Sequence, residues 1–115
     1  MSEFLYIYRM QQPAEKPSPE QMQQRMQKWM TWMTGLEKKG HIKERGHPLE
    51  QGGKVVRGAQ KAVMDGPYAE TKDVVGGYSI IEAKDLAEAA ELSKGCPILE
   101  GGGVVEVRAV MQMKA

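Results

Sequence analysis

Cysteine is almost missing from this chain: Cys96 is the only one in 115 residues. A lone cysteine forms no intrachain disulfide, which fits a reducing compartment. Charge of one sign is missing too, with 16 Lys and Arg against 15 Asp and Glu and a formal net charge of +1. A nucleic-acid binder normally carries a clear basic excess, so that class is set aside. No apolar run approaches the 18 or more residues of a membrane span, and Met1-Ser2-Glu3-Phe4 lacks the pattern of a signal peptide. Cytoplasm is the location expected by default. There is no internal repeat, low-complexity tract or linker able to separate domains, so residues 1–115 read as one domain.

What the chain does contain is ordinary globular material: 41% hydrophobic and 27% charged residues. Phe4-Leu5-Tyr6-Ile7-Tyr8 reads as a buried strand. Ser18-Pro19-Glu20-Gln21 is a helix start, with Ser18 as cap, Pro19 at the first helical position and Gln21 completing a capping box. Met22, Met26, Trp29, Met33 and Leu36 then recur every three or four residues, ending near Gly40. Core packing against a sheet is the reading preferred for this stripe; the alternative is the lining of a ligand cavity.

Residues 54–57 and 60–64 predict a hairpin turning at Gly58-Ala59, and residues 74–81 a strand whose Gly76-Gly77 suggests a bulge or a close backbone approach. Asp85 caps a second helix ended by Gly95 and Pro97, and residues 104–110 alternate as a last strand. The resulting order, β-α-β-β-β-α-β, predicts an α+β, ferredoxin-like antiparallel sheet with two helices on one face. The other face then needs a cover. With no third layer in the sequence, a second copy packed sheet to sheet, a homodimer, is the expected lid.

The run Val63-Met64-Asp65-Gly66-Pro67-Tyr68-Ala69-Glu70-Thr71-Lys72-Asp73, followed by Gly76-Gly77-Tyr78, resembles the signature of the YCII-related (DGPF-type) proteins. Asp85-Leu86-Ala87-Glu88-Ala89, Cys96-Pro97 and the segment from Gly103 to Arg108 extend the resemblance over nearly the whole chain. It implies a small bacterial protein forming a dimeric α+β barrel. Relatives include proteins beside or fused to extracytoplasmic-function sigma factors, and a lyase that removes chloride from a chlorinated aromatic diol. A His–Asp pair is the active site proposed for the enzymatic members. Asp65 matches the Asp of the signature. Position 68 is Tyr where the signature has Phe, and the early-helix His of one branch has no counterpart between Pro19 and Arg25.

The candidate site therefore centres on Asp65, a general base if burial raises its pKa, or a turn residue whose carboxylate accepts backbone N–H groups. Tyr68, Glu70 and Lys72 alternate beside it as candidate substrate-binding groups, and Arg57 on the preceding strand offers a fork for a carboxylate or phenolate. Residues of these types are more often solvated groups at a sheet edge. Of the two histidines, His47 ranks above His41 as the catalytic partner that the family pattern lacks here, although both fall in a polar connection expected to be loop. No His, Cys and carboxylate set has metal-ligand spacing, and no cofactor is implied. Gly101-Gly102-Gly103 precedes a strand and lacks the Lys-Ser/Thr of a phosphate loop, so it reads as a flexible connection. Cys96 reads as a small packed residue. Two functions follow as expectations. One is a cofactor-free enzyme doing acid/base chemistry on a small aromatic or anionic substrate. The other is a ligand-sensing or interaction module tied to sigma-factor-dependent transcription.

Overall fold

A computed structural model of the chain describes residues 1–11, 17–67 and 73–113. Four strands form an antiparallel sheet in the order β2-β5-β1-β6: β1 is Ser2–Met10, β2 Ile42–Glu44, β5 Val74–Ala83 and β6 Val104–Ala109. The helix α1, Pro19–Lys38, connects β1 to β2 across the intervening β5, and α2, Leu86–Ser93, connects β5 to β6 across β1. This is the split βαβ plan of a ferredoxin-like α+β fold. The expected order lacked β2. That three-residue strand is charged, Ile42-Lys43-Glu44, and pairs only with β5, so hydrophobic periodicity could not expose it.

The helix caps form as the sequence indicates. Ser18 Oγ accepts the Gln21 N–H at 3.1 Å, while Gln21 Oε1 accepts the Ser18 N–H at 3.0 Å. Asp85 accepts the Glu88 N–H at 2.8 Å and so starts α2. After Cys96 comes a short 3-10 helix, Pro97–Gly101, which the sequence did not signal. In the glycine run, Gly102 takes φ +80°, and a Cβ on Gly103 would lie 2.5 Å from Ile98 Cγ1 and 3.0 Å from the Arg9 carbonyl. The run is a connection as expected, with Gly101 and Gly102 in open space and Gly103 alone closely packed.

Alternation along β1 sends Phe4, Tyr6 and Tyr8 to the helix-covered face, where they meet Ser79, Ile81 and Ala83 from β5. Met33 and Leu36 from α1 and Ala89 from α2 are buried as well, and Trp29, Trp32 and Leu92 pack partly buried against the core cluster. Tyr6 is fully buried, donates its hydroxyl to the Ala89 carbonyl at 2.5 Å, and stacks on Trp32 at 6.1 Å. On the sheet's other face Leu5, Ile7, Tyr78 and Ile80 form a half-buried apolar strip. Ion pairs border it: Lys43–Glu3 at 2.8 Å on one side and Arg9–Glu106 at 2.9 Å on the other.

The methionine stripe departs from expectation. Only its C-terminal half, Met33 and Leu36, is buried; Met22 and Met26 are 54 and 63% exposed, and neighbouring Met30, outside the stripe, is 57% exposed. The first turns of α1 carry apolar residues that the sheet does not reach. The hairpin also differs: β3, Gly53–Arg57, and β4, Ala62–Gly66, form a separate two-stranded sheet with a four-residue turn at 58–61. Among the described residues no helix is long and apolar enough to cross a membrane.

Candidate functional site

An apolar cleft lies between the exposed end of the methionine stripe and the strand end where β1 meets β5. Its volume is about 390 Å³. Met26, Trp29, Met30 and Met33 of α1 make one wall. Tyr8 and Met10 of β1 with Gly76 to Ser79 of β5 make the floor, and Arg45, Gly46, His47 and Pro48 close the opposite side. Of the stripe, Met26, Trp29 and Met33 line this cleft, joined by Met30, which the stripe did not include.

Two glycines create this site by what they omit. Gly76 is the extra residue of a bulge, since Tyr8 pairs with Gly77 and Arg9 with Val75. Gly77 lets the 45–48 segment approach the sheet: a Cβ there would lie 3.0 Å from the His47 carbonyl. Both expectations for the Gly76-Gly77 pair are met. The segment is held by the Leu49 N–H donating to the Gly76 carbonyl at 2.8 Å and by Ser79 Oγ donating to the Arg45 carbonyl at 2.6 Å. Tyr8 in turn donates its hydroxyl to Ser79 Oγ at 2.8 Å. Burial keeps the Tyr8 phenol protonated far above neutrality, with the Ser79 hydrogen bond opposing only part of that effect. The polar floor is therefore neutral and internally satisfied.

Among the described residues His47 is the only histidine lining the cleft, but its ring meets the Tyr78 ring edge-on at 6.3 Å and so turns toward the sheet face away from the helices. Arg45 donates its Nε–H to Glu37 Oε2 at 2.7 Å. That hydrogen bond and the attraction of the guanidinium hold the Glu37 carboxyl below its usual range and raise Arg45. His41 lies elsewhere, its Nδ1 2.7 Å from the Glu82 carbonyl near the end of α1.

Asp65 does not join this site within one chain. It lies on β4 opposite Lys54, which donates to Asp65 Oδ1 at 2.5 Å, and its side chain is 87% exposed. A role as base is expected of it on condition of burial, and in this chain the side chain is solvated. Register also separates Arg57 from it. Arg57 pairs with Ala62 and shares a hairpin face with Val55 and Met64, while Lys54 and Asp65 share the other face with Val56 and Val63. Tyr68, Glu70 and Lys72 lie outside the described residues. Of the expected site residues that are described, His47 alone lines the cleft.

Sequence reasoning missed Arg45, Ser79, Tyr8 and Met30 as cleft residues. The trace it held was Gly76-Gly77, because a strand with two adjacent glycines has room for another segment against it. A second, wider groove of about 620 Å³ lies between Gln24, Lys28 and Trp32 of α1 and the Gly95–Glu100 turn. It is spanned by the exposed Lys28–Glu100 pair. Cys96 is buried, and burial pushes its thiol up to about 11, an unreactive packed residue as expected. Among the described residues no three His, Cys, Asp or Glu side chains cluster as metal ligands.

The family model described as the YCII-related domain matches residues 1–114. No curated protein matches the chain.

Proposed function

The chain belongs to the YCII-related family, and on that premise we propose that it binds a small, flat, largely apolar molecule in the methionine-walled cleft. The observation that carries this reading is the exposure of Met26 and Met30 beside Trp29 over a concave, satisfied floor. Apolar side chains held open in this way favour a planar guest that removes them from water, and thioethers and indoles adapt to flat rings. Acid/base chemistry on that guest is the second reading. It is favoured by His47 at the rim and disfavoured by the solvated, Lys54-paired state of Asp65. The same cleft serves a sensing module coupled to sigma-factor-dependent transcription, in which binding alone is the output.

The test is tryptophan fluorescence with 2-naphthol and catechol-type diols, in the wild type and in Met30→Glu. Met30 is exposed, so the substitution leaves the fold intact while placing a charge on the cleft wall. Saturable quenching that weakens about tenfold or more in Met30→Glu supports the cleft. No saturable signal with any probe, or equal binding in the variant, overturns it. Diol consumption that stops in His47→Gln distinguishes the enzyme from the binder.

A second copy of the chain on the uncovered sheet face completes the proposal. Leu5, Ile7, Tyr78 and Ile80 form a strip of the kind that sheet-to-sheet packing buries, and its bordering charges have both signs. Light scattering on a size-exclusion column should give twice the chain mass, and Leu5→Glu should return it to one. A monomer mass for the wild type at micromolar concentration removes the dimer.

A further inference from the structure

The stripe that walls the cleft does not stop at Met33. Met26, Met30 and Met33 step by four and three along α1, and the next step of four is Glu37. Glu37 therefore stands one turn beyond the wall, on the same helix face. Its partner Arg45 belongs to the segment that closes the opposite side of the cleft. Among the described residues this is the one ion pair with a member lining the cleft, and it joins helix to loop at one end of it.

Three features make Arg45 a recognition group rather than a structural tie. First, the bond to Glu37 is made by the Nε–H, and the guanidinium carries four further donors on its two terminal nitrogens. Those nitrogens form the fork that a carboxylate accepts bidentately. Second, the pair is exposed on both sides, 44% and 53%, so solvent screening makes it cheap to adjust. Third, the hydroxyls of the cleft are committed, Tyr8 to Ser79 and Ser79 to the Arg45 carbonyl, while the His47 ring lies against Tyr78. An anionic group on the guest has Arg45 as its permanent cation.

We infer that Arg45 makes the cleft selective for planar aromatic carboxylates over neutral molecules of the same shape, with Glu37 positioning the guanidinium through its Nε–H. This rests on the cleft reading above. The ring lies among Met26, Trp29 and Met30 while the carboxylate takes the terminal nitrogens of Arg45. Glu37 has a cost in this arrangement, since its own negative charge faces the incoming carboxylate. An amide at position 37 keeps the acceptor and removes the repulsion.

The experiment is calorimetric titration of 2-naphthoate and 2-naphthol, at pH 7 and low salt, into wild type, Arg45→Gln and Glu37→Gln. The wild type is expected to bind naphthoate about tenfold more tightly than naphthol, as a charge-assisted bidentate contact allows. Arg45→Gln should bring the two affinities together by weakening naphthoate alone. Glu37→Gln should tighten naphthoate several-fold and leave naphthol unchanged. Naphthol binding also reports that each variant is folded, because Ser79 is held by the Arg45 carbonyl and not by its side chain. Equal wild-type affinities, or a preference that survives in Arg45→Gln, overturn the selectivity while the cleft reading stands. Failure of both probes to bind the wild type overturns both.

Discussion

Replacing Gly46 by alanine should damage fold and cleft together, and the structure says by how much. Gly46 has φ +76°, where an L-residue costs about 1–2 kcal/mol. Removing glycine's freedom from the unfolded chain returns about 0.4–1 kcal/mol of that. Steric clash costs more. A Cβ on Gly46 would lie 1.7 Å from the Tyr78 carbonyl oxygen and 2.6 Å from its carbon, and both are backbone atoms that no rotamer change can move. The 45–48 segment would have to retreat from β5, stretching the Ser79 Oγ to Arg45 carbonyl bond of 2.6 Å and the Tyr78 N–H to His47 carbonyl bond of 3.4 Å. Losing one such buried bond costs about 1–3 kcal/mol. The expected total is about 3 kcal/mol, or roughly 12 °C in melting temperature for a domain of this size. Gly58→Ala is the control: its φ is +75°, yet nothing stands within 4 Å of the added Cβ. It should cost about 1 kcal/mol or less, from backbone strain alone. Urea denaturation of both variants measures the difference. Costs equal within about 0.5 kcal/mol would refute the claim that close approach, rather than φ, dictates glycine at position 46.

Asp65→Asn and Asp65→Ala should each change stability by less than about 1 kcal/mol, because the carboxylate is solvated and its Lys54 pair is exposed. A selective loss of about 1–2 kcal/mol in the Ala variant, seen by thermal melting, would instead assign it a capping role in its turn. Tyr6→Phe should cost about 1 kcal/mol by leaving the Ala89 carbonyl without its phenol, while the stack on Trp32 persists; unchanged stability would mean that the short Tyr6 bond contributes nothing net. Cys96 should alkylate far more slowly in native than in urea-unfolded protein at pH 8, and equal rates would contradict its burial. Its thiol, raised by desolvation from 9.0 to about 11, binds its proton more tightly in the fold. The associated stability is complete below pH 9.0 and is lost as pH rises toward about 11, so Cys96→Ala should flatten part of the alkaline decline in a pH series of denaturation curves.

The sequence by itself determined the elements whose signals are local. Ser18, Pro19 and Gln21 begin α1 wherever it packs, Asp85 begins α2, and alternation in β1 selects Phe4, Tyr6 and Tyr8 for one face. The family was legible in the same way, because the run from Val63 to Asp73 is contiguous and the match extends over residues 1–114. Burial of a helix stripe is different: it depends on how far the sheet extends beneath it. Periodicity placed Met22, Met26, Met33 and Leu36 on one face equally, and only the tertiary structure decided that the first two stay in water while the last two enter the core. The site was least legible, since its walls come from α1, the ends of β1 and β5, and the segment after β2. Arg45 and Glu37 are eight residues apart across a helix end, a spacing with no pattern of its own. Asp65 carried the loudest sequence signal, but strand register set it opposite Lys54 in a separate hairpin, because an antiparallel pair is fixed by its turn and not by the chemistry its side chains suggest.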